Sequence, residues 1–272
     1  MMTNFESRIF IINILFTAVT PKKHLGQHFL KDTEIARKVA CLFQKEQYQM
    51  PAIEIGPGMG VLTQFLLQEY DKVIAVDVDK ESVEYLNQTM ISPKLKVILA
   101  DFLDNRELHK ILTQPSVIIG NFPYNISTQI VFKVLENIEN VKAFGGMFQK
   151  EVAERLAAKE GSKTYGIQSV LLNTFYTTSY EFTVDPDVFI PPPKVKSGVI
   201  KCIRKDDFVL PCSKSLYYEV VKTAFNQRRK TLRNALHKFN LSDTHEFAKL
   251  RAEQLSVENF ISLTCQFENS KE

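Results

Sequence analysis

Close-set cysteine pairs are missing from the chain. Its four cysteines, Cys41, Cys202, Cys212 and Cys265, lie far apart in sequence and form no CxxC pair. That argues against a zinc ligand set or a disulfide framework, predicts no bound metal, and fits a reducing compartment such as the cytoplasm. A strong excess of charge is missing too, since the formal net charge is only +3 over 272 residues. The whole molecule is no polycation, so any nucleic-acid surface has to be a local patch. Long apolar runs are nearly absent. The run over 9–19, IFIINILFTAV, is too short to span a bilayer and lacks a small-x-small cleavage site ahead of Lys22 and Lys23. Residues 1–18 are read as an N-terminal extension of a soluble, monomeric protein. Internal repeats and low-complexity segments are absent as well.

What is present is 44% apolar composition, enough for one sizeable core and a small second domain. Four short Val- and Ile-rich runs read as strands: PAIEIG (51–56), KVIAVD (72–77), LKVILAD (95–101) and SVIIGN (116–121). They are apolar on both faces, as strands of a parallel sheet covered on both sides are. Helical stripes lie around them: Ile35, Val39, Leu42 and Phe43, with Asp32 as N-cap; Leu62, Phe65, Leu66 and Glu69; Val83, Leu86 and Met90. Alternating strands and helices predict an α/β doubly wound sheet with helices on both faces. Further on, the pattern predicts helices over 151–159 and near 165–178, then strands over 180–193 and 197–204 around a proline turn. After Asp206 and Asp207 only helical patterning remains. The expected organisation is therefore 1–18 extension, 19–205 α/β domain and 206–272 small helical domain.

The first strand ends in EIGPGMG, with Gly56, Gly58 and Gly60. Glycines there allow a sharp turn and close approach of a ligand to the backbone. The GxGxG spacing differs from the GxGxxG of a dinucleotide site, and Glu54 is atypical of that fingerprint. Asp77 ends the second strand, where a carboxylate can accept from two ribose hydroxyls. Asp101 ends the third and Asn121 the fourth. Ligands of open α/β sheets bind at such strand ends. The set suits an adenosine-containing ligand without a pyrophosphate; the plain alternative is that each Asp caps a helix or turn.

The fourth strand runs into GNFPYNIS (120–127). An adenine amine is a poor nucleophile because its lone pair is delocalised into the ring. Two acceptors aimed at its N–H bonds favour a tetrahedral, more nucleophilic nitrogen. Asn121 offers a side-chain carbonyl and Phe122 a backbone carbonyl, whose direction Pro123 restricts. Tyr124 offers a face on which a base stacks, worth about 1–3 kcal/mol.

With EIGPGMG, this stretch resembles the class I, S-adenosylmethionine-dependent adenine amino-methyltransferases. KKHLGQHFLKD (22–32), FQKEVAERL (148–156), GSKTYG (161–166), FIPPPKVKSGV (189–199), AFNQRRKTLRNAL (224–236) and RAEQLS (251–256) narrow the resemblance to small-subunit ribosomal RNA adenine dimethyltransferases, the KsgA type. It runs from about residue 19 to 267. It implies a Rossmann-like sheet, S-adenosyl-L-methionine as cofactor, and 16S rRNA within the small subunit or its precursor as substrate. It also implies transfer to two adjacent adenosines of the 3′-terminal hairpin loop, each methylated twice, and a role in subunit biogenesis. By the same resemblance, His28 and Leu30 close over the cofactor, Gly56 and Gly58 pack beside it, Asp77 holds its ribose and Asp101 its adenine amine. Asn121 contacts cofactor and target amine, and Tyr124 with Phe189 sandwiches the target base. Two positions depart from the family pattern: His28, where Asn is common, and Phe122, where Leu is common and a larger ring threatens to crowd the pocket.

The segment 222–238 holds Lys222, Arg228, Arg229, Lys230, Arg233 and Lys238 without an acid. Arg228, Arg229, Lys230 and Arg233 are the candidate RNA contacts, with Arg229 and Arg233 expected on one helical face. A solvated charged face is the plain alternative. Two other functions compete: a large-subunit rRNA methyltransferase of the macrolide-resistance type, and a non-catalytic ribosome assembly factor.

Overall fold

The computed structural model describes residues 19–43 and 49–270. The extension expected over 1–18 lies outside them. The described residues pack as two compact units, those up to 150 with 181–202 and 151–180 with those from 203 on. The sequence suggested a single crossing near 205; the chain instead crosses three times, and residues 151–180 pack with the C-terminal segment.

The first unit is built on β1 (Phe29–Leu30), α1 (Thr33–Ala40), β2 (Ala52–Ile55), α2 (Thr63–Glu69), β3 (Val73–Asp77), α3 (Lys80–Thr89), β4 (Leu95–Leu99), α4 (Asn105–Ile111), β5 (Ser116–Asn121), α5 (Ser127–Glu136) and β6 (Val141–Gln149). α6 (Lys150–Leu156), α7 (Ile167–Phe175), β7 (Tyr176–Val184), β8 (Phe189–Ile190) and β9 (Ser197–Arg204) follow. The sheet order is β4-β3-β2-β5-β6-β9-β7, and the pairs joining β4 through β6 are parallel. β2 and β5 are neighbours although a long stretch of chain, including β3 and β4, separates them. The winding reverses there, and right-handed crossovers send the helices of the two halves to opposite faces. Strands β2, β3 and β5 are buried nearly throughout, as continuous apolar runs predict. β4 is the exception: it is the sheet edge, partly open along its length, and Leu99 is 52% exposed.

Local signals explain most boundaries. Asp32 caps α1 by accepting from the Glu34 and Ile35 amides at 2.9 and 3.0 Å. The helix expected over 165–178 stops at Phe175, because from Tyr176 the side chains alternate in and out as β7. The strand expected over 180–193 is split: 180–184 are strand as the end of β7, and after a short turn Phe189–Ile190 form β8, which pairs antiparallel with β1. Between β5 and β6, Gly120 faces Gly146, and a Cβ on Gly146 would stand 2.0 Å from the Gly120 carbonyl oxygen. That close approach of two backbones requires glycine.

The second unit contains α6 from Glu151, α7, α8 (Lys214–Asn226), the short α9 (Leu232–Ala235) and α10 (Val257–Asn269). Its core is aromatic: Tyr217, Phe260 and Tyr165 are at most 1% exposed, and the Tyr217 hydroxyl bonds Thr174 Oγ1 at 2.8 Å. No helix among the described residues is long and apolar enough to cross a membrane.

Candidate active site

A cavity of about 320 Å³ opens at the carboxyl ends of β2, β3, β4 and β5. Gly56, Asp77, Asp101 and Asn121 all line it, so the four strand ends do converge. Gly58 lines it as well; Gly56 and Gly58 have φ of +68° and +55°, a left-handed turn that brings bare backbone to the cavity wall.

Asp77 is 6% exposed. Its carboxylate accepts from the Asp79 amide at 2.9 Å and the Gly58 amide at 3.4 Å. Burial outweighs these bonds and pushes its pKa up to about 6. Asp101 is exposed at the cavity edge, and its Oδ1 takes the Leu103 amide at 2.8 Å. The turn-capping and ligand-facing readings of Asp101 are thus compatible. Asn121 donates its Nδ2 to the His28 carbonyl oxygen at 2.8 Å, which leaves Oδ1 as the free acceptor. The Tyr124 hydroxyl bonds Ser197 Oγ at 2.5 Å, and burial raises the pKa of the phenol. These two bonds fix the amide and the ring of the NFPY turn.

Phe122 does not crowd the cavity with its ring. The side chain is 1% exposed and lies against Phe144 and Phe148, with centroids 5.4 and 4.8 Å away. The large ring fills core beneath β5 and β6. Its amide donates to the Met147 carbonyl at 3.1 Å.

Residues 25–29 line one side of the cavity. His28 lines it, with its ring centroid 5.5 Å from that of Tyr124 and Nδ1 2.7 Å from the Pro191 carbonyl oxygen. Leu30 is 4% exposed and lines a small side lobe, which it shares with Glu54, Gly56 and Asn121. Phe189 stands outside the cavity lining: it is 1% exposed and pairs with Leu30 across β1 and β8. The ring that packs beside Tyr124 is that of His28.

Glu54, Asp79 and Lys22 make contacts near the site that the sequence reading did not single out. Glu54 is 1% exposed, accepts from Thr63 Oγ1 at 2.6 Å, and has its pKa pushed up to about 8, chiefly by burial. Asp79 caps α3 and takes an ion pair from Lys22 and a 3.2 Å bond from Gln27 Nε2. Lys22 also reaches Glu81 at 3.2 Å. Asp79 followed three residues later by Ser82 carried a capping signal; its contact with a residue 57 positions away did not.

A family profile described as ribosomal RNA adenine dimethylase matches residues 19–268. Two proteins named Ribosomal RNA small subunit methyltransferase A are similar. That of Flavobacterium johnsoniae is 55% identical over 92% of this chain and 97% of its own length. That of Parabacteroides distasonis is 52% identical over 90% of this chain and 93% of its own. The chain belongs to the ribosomal RNA adenine dimethylase family. The fold also matches solved structures. A dimethyladenosine transferase from Plasmodium falciparum aligns with TM-score 0.76 at 23% identity, over 90% of this chain and 98% of that one. The 23S rRNA methyltransferase ErmE aligns with TM-score 0.64 at 20% identity, over 88% and 100%.

In this member of the family the basic segment is not one continuous helix. α8 ends at Asn226 and α9 begins at Leu232, so Arg229 and Arg233 do not share a helical face. The break is stabilised from outside: the Leu232 and Arg233 amides donate to the Leu250 and Ala248 carbonyls at 2.7 and 3.1 Å. Arg228 donates to the Lys163 carbonyl at 2.6 Å and lies 3.7 Å from Glu253. Arg233 pairs with Asp243 at 2.6 Å. Arg229 and Lys230 are exposed, and no carboxylate among the described residues forms an ion pair with either side chain.

Proposed function

We propose that this chain uses S-adenosyl-L-methionine to dimethylate the 6-amino groups of two adjacent adenosines in 16S rRNA, acting as a cytoplasmic monomer on the small subunit or its precursor. The observation that carries the reading is the convergence of Gly56, Asp77, Asp101 and Asn121 on one cavity, with the NFPY turn at its wall. The lining fits the cofactor. A buried carboxylate with room for hydroxyl donors suits a ribose, and the Gly56–Gly58 turn admits the amino-acid part against bare backbone. When bound, the cofactor supplies an electrophilic methyl group.

The chain's own residues position the acceptor. Asn121 Nδ2 is spent on His28, so Oδ1 meets one N–H of the target amine, and the Phe122 carbonyl meets the other. Tyr124, held by Ser197, stacks on the base. Phe189 supports the site through its pairing with Leu30. The base has to leave any stack to enter the cavity. Arg229 and Lys230 carry phosphate contact, while Arg228 and Arg233 order the loop around them.

The test is to incubate the protein with methyl-labelled cofactor and undermethylated small subunits, then identify the labelled nucleosides. Dimethyladenosine is expected. Absence of label from the RNA overturns the reading.

A further inference from the structure

The charged side chains that line the cavity are acidic. Asp77 and Asp101 face it, and its lining contains no Lys or Arg. A base that enters brings its own phosphates to the mouth, where those carboxylates repel them. Holding RNA there takes cations on the rim.

Two segments, 22–32 and 185–196, frame the mouth. Residues 25–29 line the cavity, and β1 pairs with β8 through Phe29↔Ile190 and Leu30↔Phe189. The Lys31 amide donates to the Val188 carbonyl at 2.9 Å, and the Pro191 carbonyl oxygen lies 2.7 Å from His28 Nδ1. Some lysines of these segments are already committed: Lys22 pairs with Asp79 and Glu81, and Lys196 with Asp185. Lys23, Lys31 and Lys194 are exposed, and none of them forms an ion pair among the described residues. Lys23 shares a helical turn with Leu25 of the lining, Lys31 directly follows β1, and Lys194 follows the prolines after β8. The carboxylates on the two segments are Asp32, Asp185 and Asp187. Asp32 caps α1 and Asp185 holds Lys196, so Asp187 is the acid left to oppose three cations.

The same rim exposes apolar side chains: Ile190 is 36% and Val195 47% exposed. Cations interleaved with open apolar side chains suit unpaired nucleotides, whose bases are free to leave a stack. A duplex offers mainly phosphates and groove edges.

We propose that this rim holds the unpaired nucleotides flanking the target adenosine, with Lys23, Lys31 and Lys194 on their phosphates and Val195 against a base. This rests on the function proposed above, and it adds an RNA-contacting surface to that of Arg229 and Lys230. The lysines are positioning residues, since they meet the flanking phosphates and not the reacting atoms.

The test compares wild type with a triple variant carrying Lys23→Ala, Lys31→Ala and Lys194→Ala, and with a second triple variant carrying Arg at the same positions. Affinity for undermethylated small subunits is measured at several salt concentrations, together with single-turnover methylation and affinity for S-adenosylhomocysteine. The alanine variant is expected to lower the slope of log affinity against log salt by about 0.7 for each phosphate no longer neutralised. It is expected to need at least about tenfold more subunits for half-maximal rate, with a rate at saturation within about threefold of wild type and unchanged cofactor affinity. The arginine variant keeps the charges and is expected to restore the slope. Val195→Ser is expected to bind at least about twofold more weakly at every salt concentration with the wild-type slope, because an apolar contact releases no counterions. Wild-type slope in the alanine variant, no rescue by arginine, a fall in saturated rate as large as the loss of affinity, or wild-type affinity in Val195→Ser each overturn the proposal. Wild-type protein that labels no adenine overturns the parent function and this proposal with it; an active wild type with an unaffected alanine variant overturns this proposal alone.

Discussion

At the scale of the residue, two buried carboxyls give the site opposite uses of a proton. Asp77, raised to about 6 by burial, has to be ionised for the ribose contact proposed for it. Affinity for S-adenosylhomocysteine is therefore expected to weaken about tenfold per pH unit below about pH 6, and Asp77→Asn to be weaker and lose that dependence. Calorimetric titration across that range checks both. Glu54 works in the other direction. Its pKa is raised from 4.5 to about 8, so folding takes up a proton between those values. The stability linked to this site is full below about pH 4.5 and is lost as pH rises through about 8. Glu54→Gln has no proton to lose, so wild type is expected to lose thermal stability relative to it between about pH 5 and pH 9, on the order of a few kcal/mol. Parallel melting curves for the two proteins would rule this out. Asn121 and Tyr124 were legible from sequence because their chemistry depends on residue type and local order. The ring position of Phe122 was not, because Phe144 and Phe148 reach it through the register of β5 against β6.

Among the elements, the parallel strands were readable because each carries its own apolar run, while the wall formed by 25–29 was placed at the site only by the family resemblance. That segment has no strong periodicity of its own and is held by distant partners. Asp79 is the main one. Burial alone raises its pKa, but bonds from Lys22, Gln27 and the Glu81 amide outweigh that and hold it below the usual aspartate range. The same carboxylate accepts from Ser82 Oγ at 3.2 Å while capping α3. Asp79→Ala removes an N-cap worth about 1 kcal/mol and the anchor of the wall together. The expected result is a loss of about 1–3 kcal/mol in chemical denaturation, with faster amide exchange at residues 22–28 and unchanged exchange in β2. Unaltered exchange in that segment would show that β1–β8 pairing alone holds it. The split between α8 and α9 also depends on distant partners, since carbonyls of Leu250 and Ala248 replace the bonds of a continuous helix.

For the whole molecule, a net charge of +3 cannot drive binding to RNA by itself, so salt dependence reports on a few local cations. The sequence offered four equivalent candidates in Arg228, Arg229, Lys230 and Arg233. Internal partners separate them: Arg228 and Arg233 are held by Lys163, Glu253 and Asp243. Composition could not reveal this, because the partners lie outside the basic run. Arg229→Ala with Lys230→Ala is therefore expected to lower the slope of log affinity against log salt by about 0.7–0.9 for each phosphate that is no longer neutralised. Cofactor affinity is expected to stay unchanged, since the cavity lining contains neither residue. Arg233→Ala exposes Asp243 as an unpaired carboxylate and is expected to reduce the slope less. Binding to undermethylated small subunits, measured at several salt concentrations, separates the two cases. Equal slopes for wild type and the Arg229–Lys230 double variant would make this surface a solvated face and move the RNA interface elsewhere.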